Sequence, residues 1–529
     1  MVSKKTPHVL AIDHGTSGCK VALVSIFGKV TDFQNEPTPV YFLPGGGAEQ
    51  NPEDWWNAFM KAAKKLISRG KVSPTSIQAI CVSSTFSSTV AVDKNGKQLM
   101  NSLTWMDSRG APHVQKLMRG IINVEGYGLS RILNWIRRTG GGPQLSGKDD
   151  IAHVLYLKNE RPEIYENTFK FLSSKDYFNL RLTGEFTSSY DAMTLFWVTN
   201  SVDINNMYYD PVLIAKLGID AGKLPPMVHS TDCVGSVLPR VAKKLGIGKD
   251  VKVYSGSPDH QSALVGSGAV RDFQGHLYIG TSSWVECIVP FKKTDITHSI
   301  ASLPSSIPRK YQCINEQDMA GGCLTYLIEH VLDEKTLKRK KDENLYAALD
   351  RIVASTPPGA GRVIFTPWLH GERSPVDSNT LRGGIHNLSV TSSREEIVRS
   401  VFEGIAFNTR WNMDYVEKFT GRPFDGLHFI GGGARSNIWS QVFADVMNRP
   451  VFQVEDPLQA NARGAAFIAS VGMGQMSFDD IPRHVKITGQ YLPDKKSRGL
   501  YDELYNAFLE IYRRNRTLYD SLNSFHNKS

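Results

Sequence analysis

Short apolar runs bounded by small and polar residues recur along the chain, and two of them are near copies of one another. Val9 to Ile12 is apolar, Asp13-His14-Gly15-Thr16-Ser17-Gly18 interrupts it, and Lys20 to Val24 alternates back into apolar residues. That order predicts strand, glycine-rich turn, strand: a hairpin with Asp13 leaving its first strand and Thr16 and Ser17 at its tip. Leu277 to Val289, LYIGTSSWVECIV, repeats the grammar of Leu10 to Val24, LAIDHGTSGCKVALV, with Gly280-Thr281-Ser282-Ser283 as its turn. Two such hairpins about 265 residues apart predict a duplicated domain, each copy opening with a hairpin of one kind.

The remaining periodicity fills in an α/β chain. Asn51 to Arg69 predicts a helix, with Pro52, Glu53 and Asp54 at its start and Trp56, Phe59, Met60, Ala63 and Ile67 at helical spacing. Trp55 and Trp56 read as packing. Ile77 to Val82 and Thr89 to Asp93 predict strands around the polar turn Ser83 to Ser88. Gly140 to Asp150 reads as loop and Ala152 to Leu182 as helices. Ser393 with Glu396 forms a capping box before Ile397, Val401 and Ile405, and Gly421 ends that helix. Leu427 to Ile430 predicts a strand, followed by the turn Gly431 to Asn437 and a helix through Val446. From Arg498 a helical tail with Leu500, Leu504, Phe508 and Tyr512 is expected to pack back on the body.

At 529 residues the chain exceeds one hydrophobic core, so two domains of roughly 200–250 residues are expected. The handover is placed near Val251, dividing the chain into 1–252 and 253–529. The 41% apolar and 21% charged content is that of a globular protein. A net charge of +9 suits small anions, but Lys and Arg are scattered, so no nucleic-acid partner is expected. The basic run Lys335 to Lys341 lies between acidic pairs and reads as a solvated helix face. Six cysteines without metal or redox spacing predict reduced, buried thiols and a cytoplasmic protein. The N-terminus meets an acid too early for a signal peptide, and no membrane span is expected.

Candidate chemistry gathers around Tyr254 to Ser283. Asp259 is the one acid in the small-residue turn Gly256 to Gln261. A lone carboxylate there suits a base for a substrate hydroxyl, although a Pro-Asp turn is more often only a turn. Gly-Thr-Ser turns offer N–H groups and hydroxyls to a phosphate with no side chain in the way. The turn Gly431 to Asn437 can bring backbone close to a nucleotide, but it lacks GxGxxG spacing, and the chain has no GxxxxGK[ST]. Ser83 to Ser88, at a strand end, is a plausible seat for a polyhydroxylated ligand. Asp107 and Arg109 read as a brace rather than a substrate contact.

These residues resemble the FGGY family of carbohydrate kinases, within the superfamily of actin and hexokinase, most of all its xylulokinase-like members. The resemblance rests on Asp13 to Ser17, Gly280-Thr281-Ser282, Asp259, Gly432-Gly433-Ala434 with Asn437, Gly371 to Pro375, Glu396 to Glu403 and Leu172 to Glu185. It implies two duplicated RNase H-like (actin/hexokinase-type) domains with a catalytic cleft between them. It also implies ATP and Mg²⁺ as cofactors and a small sugar or polyol as substrate. Asp259 takes the position of the catalytic base, and Asp13 would hold Mg²⁺ through water. Thr16, Ser17, Lys20, Gly280 and Thr281 would engage phosphates; Gly432, Gly433, Ala434 and Asn437 would cradle adenosine. Phe86, Ser87 and His260 are candidate sugar contacts. D-xylulose is the expected acceptor, with ribulose, glycerol or an alditol as alternatives, and a homodimer is left open. Competing readings are a non-kinase nucleotide-binding relative and an acetate-type acid kinase, neither of which needs Asp259 on its turn. Three positions depart from the family pattern. Asn387 stands where glycine is usual, and Phe86-Ser87 replaces the methionine-histidine of xylulokinases and the arginine-glutamate of glycerol kinases.

Overall fold

The structure, a computed structural model, describes residues 6–332 and 344–523. The basic run Lys335 to Lys341 lies outside the described residues. Two sheets organise the chain. The first contains β1 (His8–Gly15), β2 (Gly18–Ser25), β3 (Val30–Pro37), β4 (Ile77–Ser84), β5 (Cys233–Ser236) and β6 (Lys252–Pro258), in the order β5-β6-β4-β1-β2-β3. The second contains β7 (Gly275–Ile279), β8 (Ser283–Val289), β9 (Thr294–Asp295), β10 (Ile300–Pro304), β11 (Tyr311–Ile314), β12 (Leu427–Ile430), β13 (Val451–Val454) and β14 (Ile487–Tyr491). Its order is β9-β10-β11-β8-β7-β12-β13-β14.

Each sheet starts from its hairpin. β1 runs antiparallel to β2 and parallel to β4, which is parallel to β6. β7 runs antiparallel to β8 and parallel to β12, which is parallel to β13. The same sequence of pairings in both sheets is the duplication that the two hairpins announced. β6 belongs to the first sheet, so the division at 252/253 falls one strand too early: main-chain pairing to β4 carries residues 252–258 with the first half.

The helices follow their local signals. α1 (Pro52–Ser68) has Asn51 as its cap, and Trp55 is buried against His14 and Phe178. α2 (Asp259–Ser267) begins where β6 ends. α3 (Arg394–Thr420) has the expected capping box, Ser393 with Glu396, and stops at Gly421, whose φ of 78° is left-handed. α4 (Asn437–Met447), α5 (Ala460–Gly472) and α6 (Arg498–Asn523) complete the second half. In α6, Leu504 and Phe508 are buried, while Leu500 and Tyr512 pack partly buried on the core.

Two expectations are corrected. Ala152 to Leu182 is not helix throughout: a strand, Lys170–Leu172, separates its helices and pairs with Val90–Val92. It is too short to leave a period in the sequence. Cys233, on edge strand β5, is exposed, whereas the other five cysteines are buried; all six are unpaired. Asn387 takes a φ of 62°, the left-handed region that glycine usually fills and asparagine tolerates. No helix among the described residues is long and apolar enough to cross a membrane.

α5 comes from the second half yet lies against the first sheet. Its Ala462, Ala465, Phe467 and Ile468 share a core with Val9, Ala11, Ala22 and Val24 of β1 and β2 and with Ala263 and Leu264 of α2. The two halves therefore meet along α2 and α5, and the other ends of their sheets enclose a cleft.

Candidate active site

Parallel strands put their carboxyl ends side by side, and here those ends hold the polar turns. In the first sheet β1 ends at Gly15, β4 at Ser84 and β6 at Pro258, with His14 in register with Ser84 and Pro258 with Ser84. In the second sheet β7 ends at Ile279 beside β12, which ends at Ile430. β6 bulges at Gly256, two residues before it ends at Pro258 and α2 follows. The Gly256 φ is 73°, and a Cβ there would lie 2.0 Å from the Val82 carbonyl oxygen. Asp259 takes the first position of α2, where the helix N-terminus favours a carboxylate.

The cleft between the sheets has a volume of ≈ 2310 Å³. Asp13, Thr16, Ser17, Lys20, Phe86, Ser87, Asp259, His260 and Thr281 all line it. Nine of the sequence-predicted site residues are thus brought to one cavity, from the two hairpins, the loop after β4 and the start of α2. Gly280, Gly432, Gly433, Ala434 and Asn437 are not among its lining residues. Gly433 packs under Ile279, a Cβ there meeting Cγ2 at 2.7 Å, and Ala434 is buried with its carbonyl accepting Gln453 Nε2 at 2.6 Å. Gly432 and Asn437 are exposed on that turn.

The hairpin tips are shaped for anions. Among the described residues, no hydrogen bond takes the amide N–H of Thr16, Ser17, Thr281 or Ser282. Two turns with unpaired backbone N–H groups thus line one cleft, an arrangement that can serve an anion. The second turn is held from behind: Ala320 N–H donates to the Thr281 carbonyl at 2.7 Å and Gly321 N–H to that of Gly280 at 2.9 Å. A Cβ on Gly321 would come 2.4 Å from the Gly280 oxygen, so only glycine permits this approach. In the first hairpin Trp105 Nε1 donates to Thr16 Oγ1 at 2.9 Å. Asp13 and Lys20 face each other across β1 and β2 in an ion pair of 3.1 Å. Lys20 also reaches the Leu458 carbonyl at 2.8 Å, and Asn461 donates to Asp13 at 3.3 Å, so this pair touches both halves. Among the described residues no group of three or more His, Cys, Asp or Glu could hold a metal by itself. One carboxylate at the phosphate cradle fits Mg²⁺, which keeps much of its water and leans on substrate phosphates.

Asp259 carries a shifted carboxyl on this wall. Burial pushes its carboxyl up to about 6; the neighbouring His260 charge opposes the rise, and Asp13 and Glu316 add to it. Such a carboxyl is ionised at neutral pH and can accept a proton. His260 is held at Nδ1 by Glu286 Oε1 at 2.8 Å. Its ring stacks on Trp284 at 4.1 Å, and Trp284 stacks on Tyr278 at 3.8 Å. Phe86, in the loop after β4, approaches the His260 ring at 6.2 Å. Ser87 sits at a φ of 57° with its hydroxyl donating to the Lys148 carbonyl at 2.9 Å, so it shapes the loop rather than offering that proton to a ligand.

Several lining residues carried no reading of their own in the sequence. Glu316 and Asp318 flank Arg373, which pairs with Glu316 and, at 2.9 Å, with Asp318. Glu372 is buried beneath them and accepts Asn408 Nδ2 at 2.5 Å; burial pushes it up to about 8. Asp107 and Arg109 are the expected brace: Asp107 accepts Ala48 N–H at 2.9 Å, and Arg109 joins it to Glu49 at 2.6 Å.

Comparison with known proteins agrees with this geometry. Residues 8–266 match the model of the FGGY family of carbohydrate kinases, N-terminal domain, and 276–473 that of the C-terminal domain. A xylulose kinase of Bacillus subtilis is 28% identical over 522 residues, spanning 98% of this chain and 99% of that protein. A gluconokinase of the same organism is 25% identical over 512 residues, spanning 96% of each. The solved structure of a ligand-bound xylulose kinase from Lactobacillus acidophilus superposes with a TM-score of 0.85 at 24% identity, covering 98% of this chain and 100% of that one.

Proposed function

This chain belongs to the FGGY family of carbohydrate kinases, and from that membership we propose that it phosphorylates D-xylulose to D-xylulose 5-phosphate with Mg-ATP in the cytoplasm. The carrying observation is Asp259, an ionisable carboxyl in the same cleft as two phosphate-shaped turns from opposite sheets. Asp259 accepts the proton of the attacking hydroxyl. Thr16, Ser17, Lys20 and Thr281 bind phosphate oxygens; Gly280 keeps its turn free of side chain. Gly432, Gly433, Ala434 and Asn437 shape the neighbouring turn toward the adenosine. Asp13 would hold Mg²⁺ through water, and the bound ion would neutralise charge on the transferring phosphates. Phe86 and His260 meet the sugar, and Ser87 fixes the loop that carries Phe86. Closure of the halves aligns the reactants and excludes water.

The acceptor is tested by ADP release over D-xylulose, D-ribulose, glycerol, alditols and D-gluconate. D-gluconate is included because a gluconokinase relative matches this chain nearly as well as the xylulose kinase does. Preference for D-xylulose supports the proposal; turnover confined to another acceptor overturns it. Phe86→Ala is expected to raise KM for the acceptor about tenfold, with KM for ATP unchanged, since one lost apolar contact is worth about 1–3 kcal/mol.

The pH dependence follows from the base. Asp259 works ionised, so kcat/KM falls about tenfold per unit below about 6 as the carboxyl protonates. A profile flat to pH 5 would remove Asp259 from that role.

A further inference from the structure

Glu286 is a buried charge with no role in the proposed chemistry. It sits mid-strand in β8 with 0% exposure. Its Oε2 accepts Gln312 Nε2 at 2.7 Å, and its Oε1 accepts Asn315 N–H at 3.4 Å and His260 Nδ1 at 2.8 Å. Among the described residues it has no Lys or Arg partner; its one ion-pair partner is His260. A carboxylate out of water needs a cation, and this one has an imidazole. Nδ1 is thereby committed, and the ring is fixed against the face of Trp284 at 4.1 Å, an aromatic face that favours a cation. Nε2, on the other side of the ring, makes no hydrogen bond among the described residues, and His260 lines the cleft next to Asp259.

We propose that Glu286 is a positioning residue, fixing His260 as a doubly protonated ring that presents Nε2–H to an acceptor-substrate oxygen beside Asp259. This rests on the kinase reading of the cleft. The groups around His260 come from four elements: Asp259 on its own helix, Glu286 on β8, Glu316 after β11 and the neutral His276 on β7. Burial would lower the His260 pKa, but Glu286 overrides it, with Asp259 and Glu316 adding, and raises it to about 9. The cation therefore persists through neutral pH, and the arrangement works as a fixed donor rather than a proton shuttle.

The first measurement needs no turnover. NMR titration of His260 in the unliganded full chain, assigned by its loss in His260→Gln, is expected to show a midpoint near 9. A midpoint at or below the ordinary value of about 6.5 overturns the proposal. In kinetics with D-xylulose, Glu286→Gln is expected to lower kcat/KM for the sugar about 10²-fold at pH 8, with KM for ATP within about twofold. Its alkaline limb should move down toward about 6.5, so the deficit narrows as the pH is lowered. Glu286→Asp keeps the charge and should outperform the better-fitting Gln at pH 8; the reverse order, or an equal loss at every pH, makes Glu286 merely structural and overturns the proposal. Failure of the base reading shows separately, as an active Asp259→Asn chain, and leaves the titration result untouched.

Discussion

Asp259→Asn is expected to lower kcat by about 10²–10⁴-fold, the usual worth of a positioned general base, while the chain folds and binds ATP. Asparagine has the same shape and its amide oxygen can still accept the His260 N–H, so the substitution removes a proton acceptor and little else. The local electrostatics sharpen the test. Burial raises the Asp259 carboxyl to about 6, with Asp13 and Glu316 pushing the same way and His260 opposing. A neutral amide relieves that strain, so the variant should be at least as stable as the parent. Stopped-flow ADP release gives the rate, and thermal unfolding with and without ATP gives the other two quantities. Loss of rate with unchanged ATP stabilisation assigns Asp259 to chemistry. Retained rate assigns proton transfer elsewhere and leaves the cleft as a binding site.

How far this could be read from residues alone depends on whether the signal was local. The hairpins at Gly15 to Gly18 and Gly280 to Ser283 were legible because strand, turn and strand are contiguous, and their likeness revealed the duplication. The capping box at Ser393 and the stop at Gly421 were legible for the same reason. The placement of β6 was not: its partner β4 lies about 170 residues earlier, and nothing in KVYSGSP names the sheet it joins. Glu286 was hidden differently. It stands inside WVECIV, an apolar strand, and a charge there is a buried charge in need of a partner. That signal was available, but the partner, His260, is set by pairing between β7, β8 and α2. The network of Glu316, Asp318 and Arg373 likewise joins segments that only the fold brings together.

The contact between the halves gives the second large effect. Gly464→Ala is expected to destabilise the protein by about 3 kcal/mol, lowering Tm by roughly 3 °C in a chain of this length, as overpacking against a rigid neighbour does. α2 and α5 cross at two glycines. A Cβ on Gly464 would lie 1.9 Å from the Ser262 carbonyl oxygen, and one on Gly266 would lie 1.8 Å from that of Ala460. Both obstacles are main chain within helices, which cannot rotate away as a side chain can, so the helices must separate. Separation is costly because α5 carries Ala462, Ala465, Phe467 and Ile468 into the core shared with β1 and β2. Gly499→Ala is the matched control: it lies in α6 with nothing within 4 Å of its added Cβ. There alanine should be neutral or stabilising by up to about 1 kcal/mol through helix propensity. The crossing also bears on catalysis, because Lys20 and Asp13 reach Leu458 and Asn461 at the entrance to α5. Displacing α5 therefore moves the first hairpin relative to the second. Gly464→Ala should lose kcat even well below its Tm, while Gly499→Ala keeps it. Equal Tm values for the two variants would show that the helices part easily, and that the halves are not held together at this crossing.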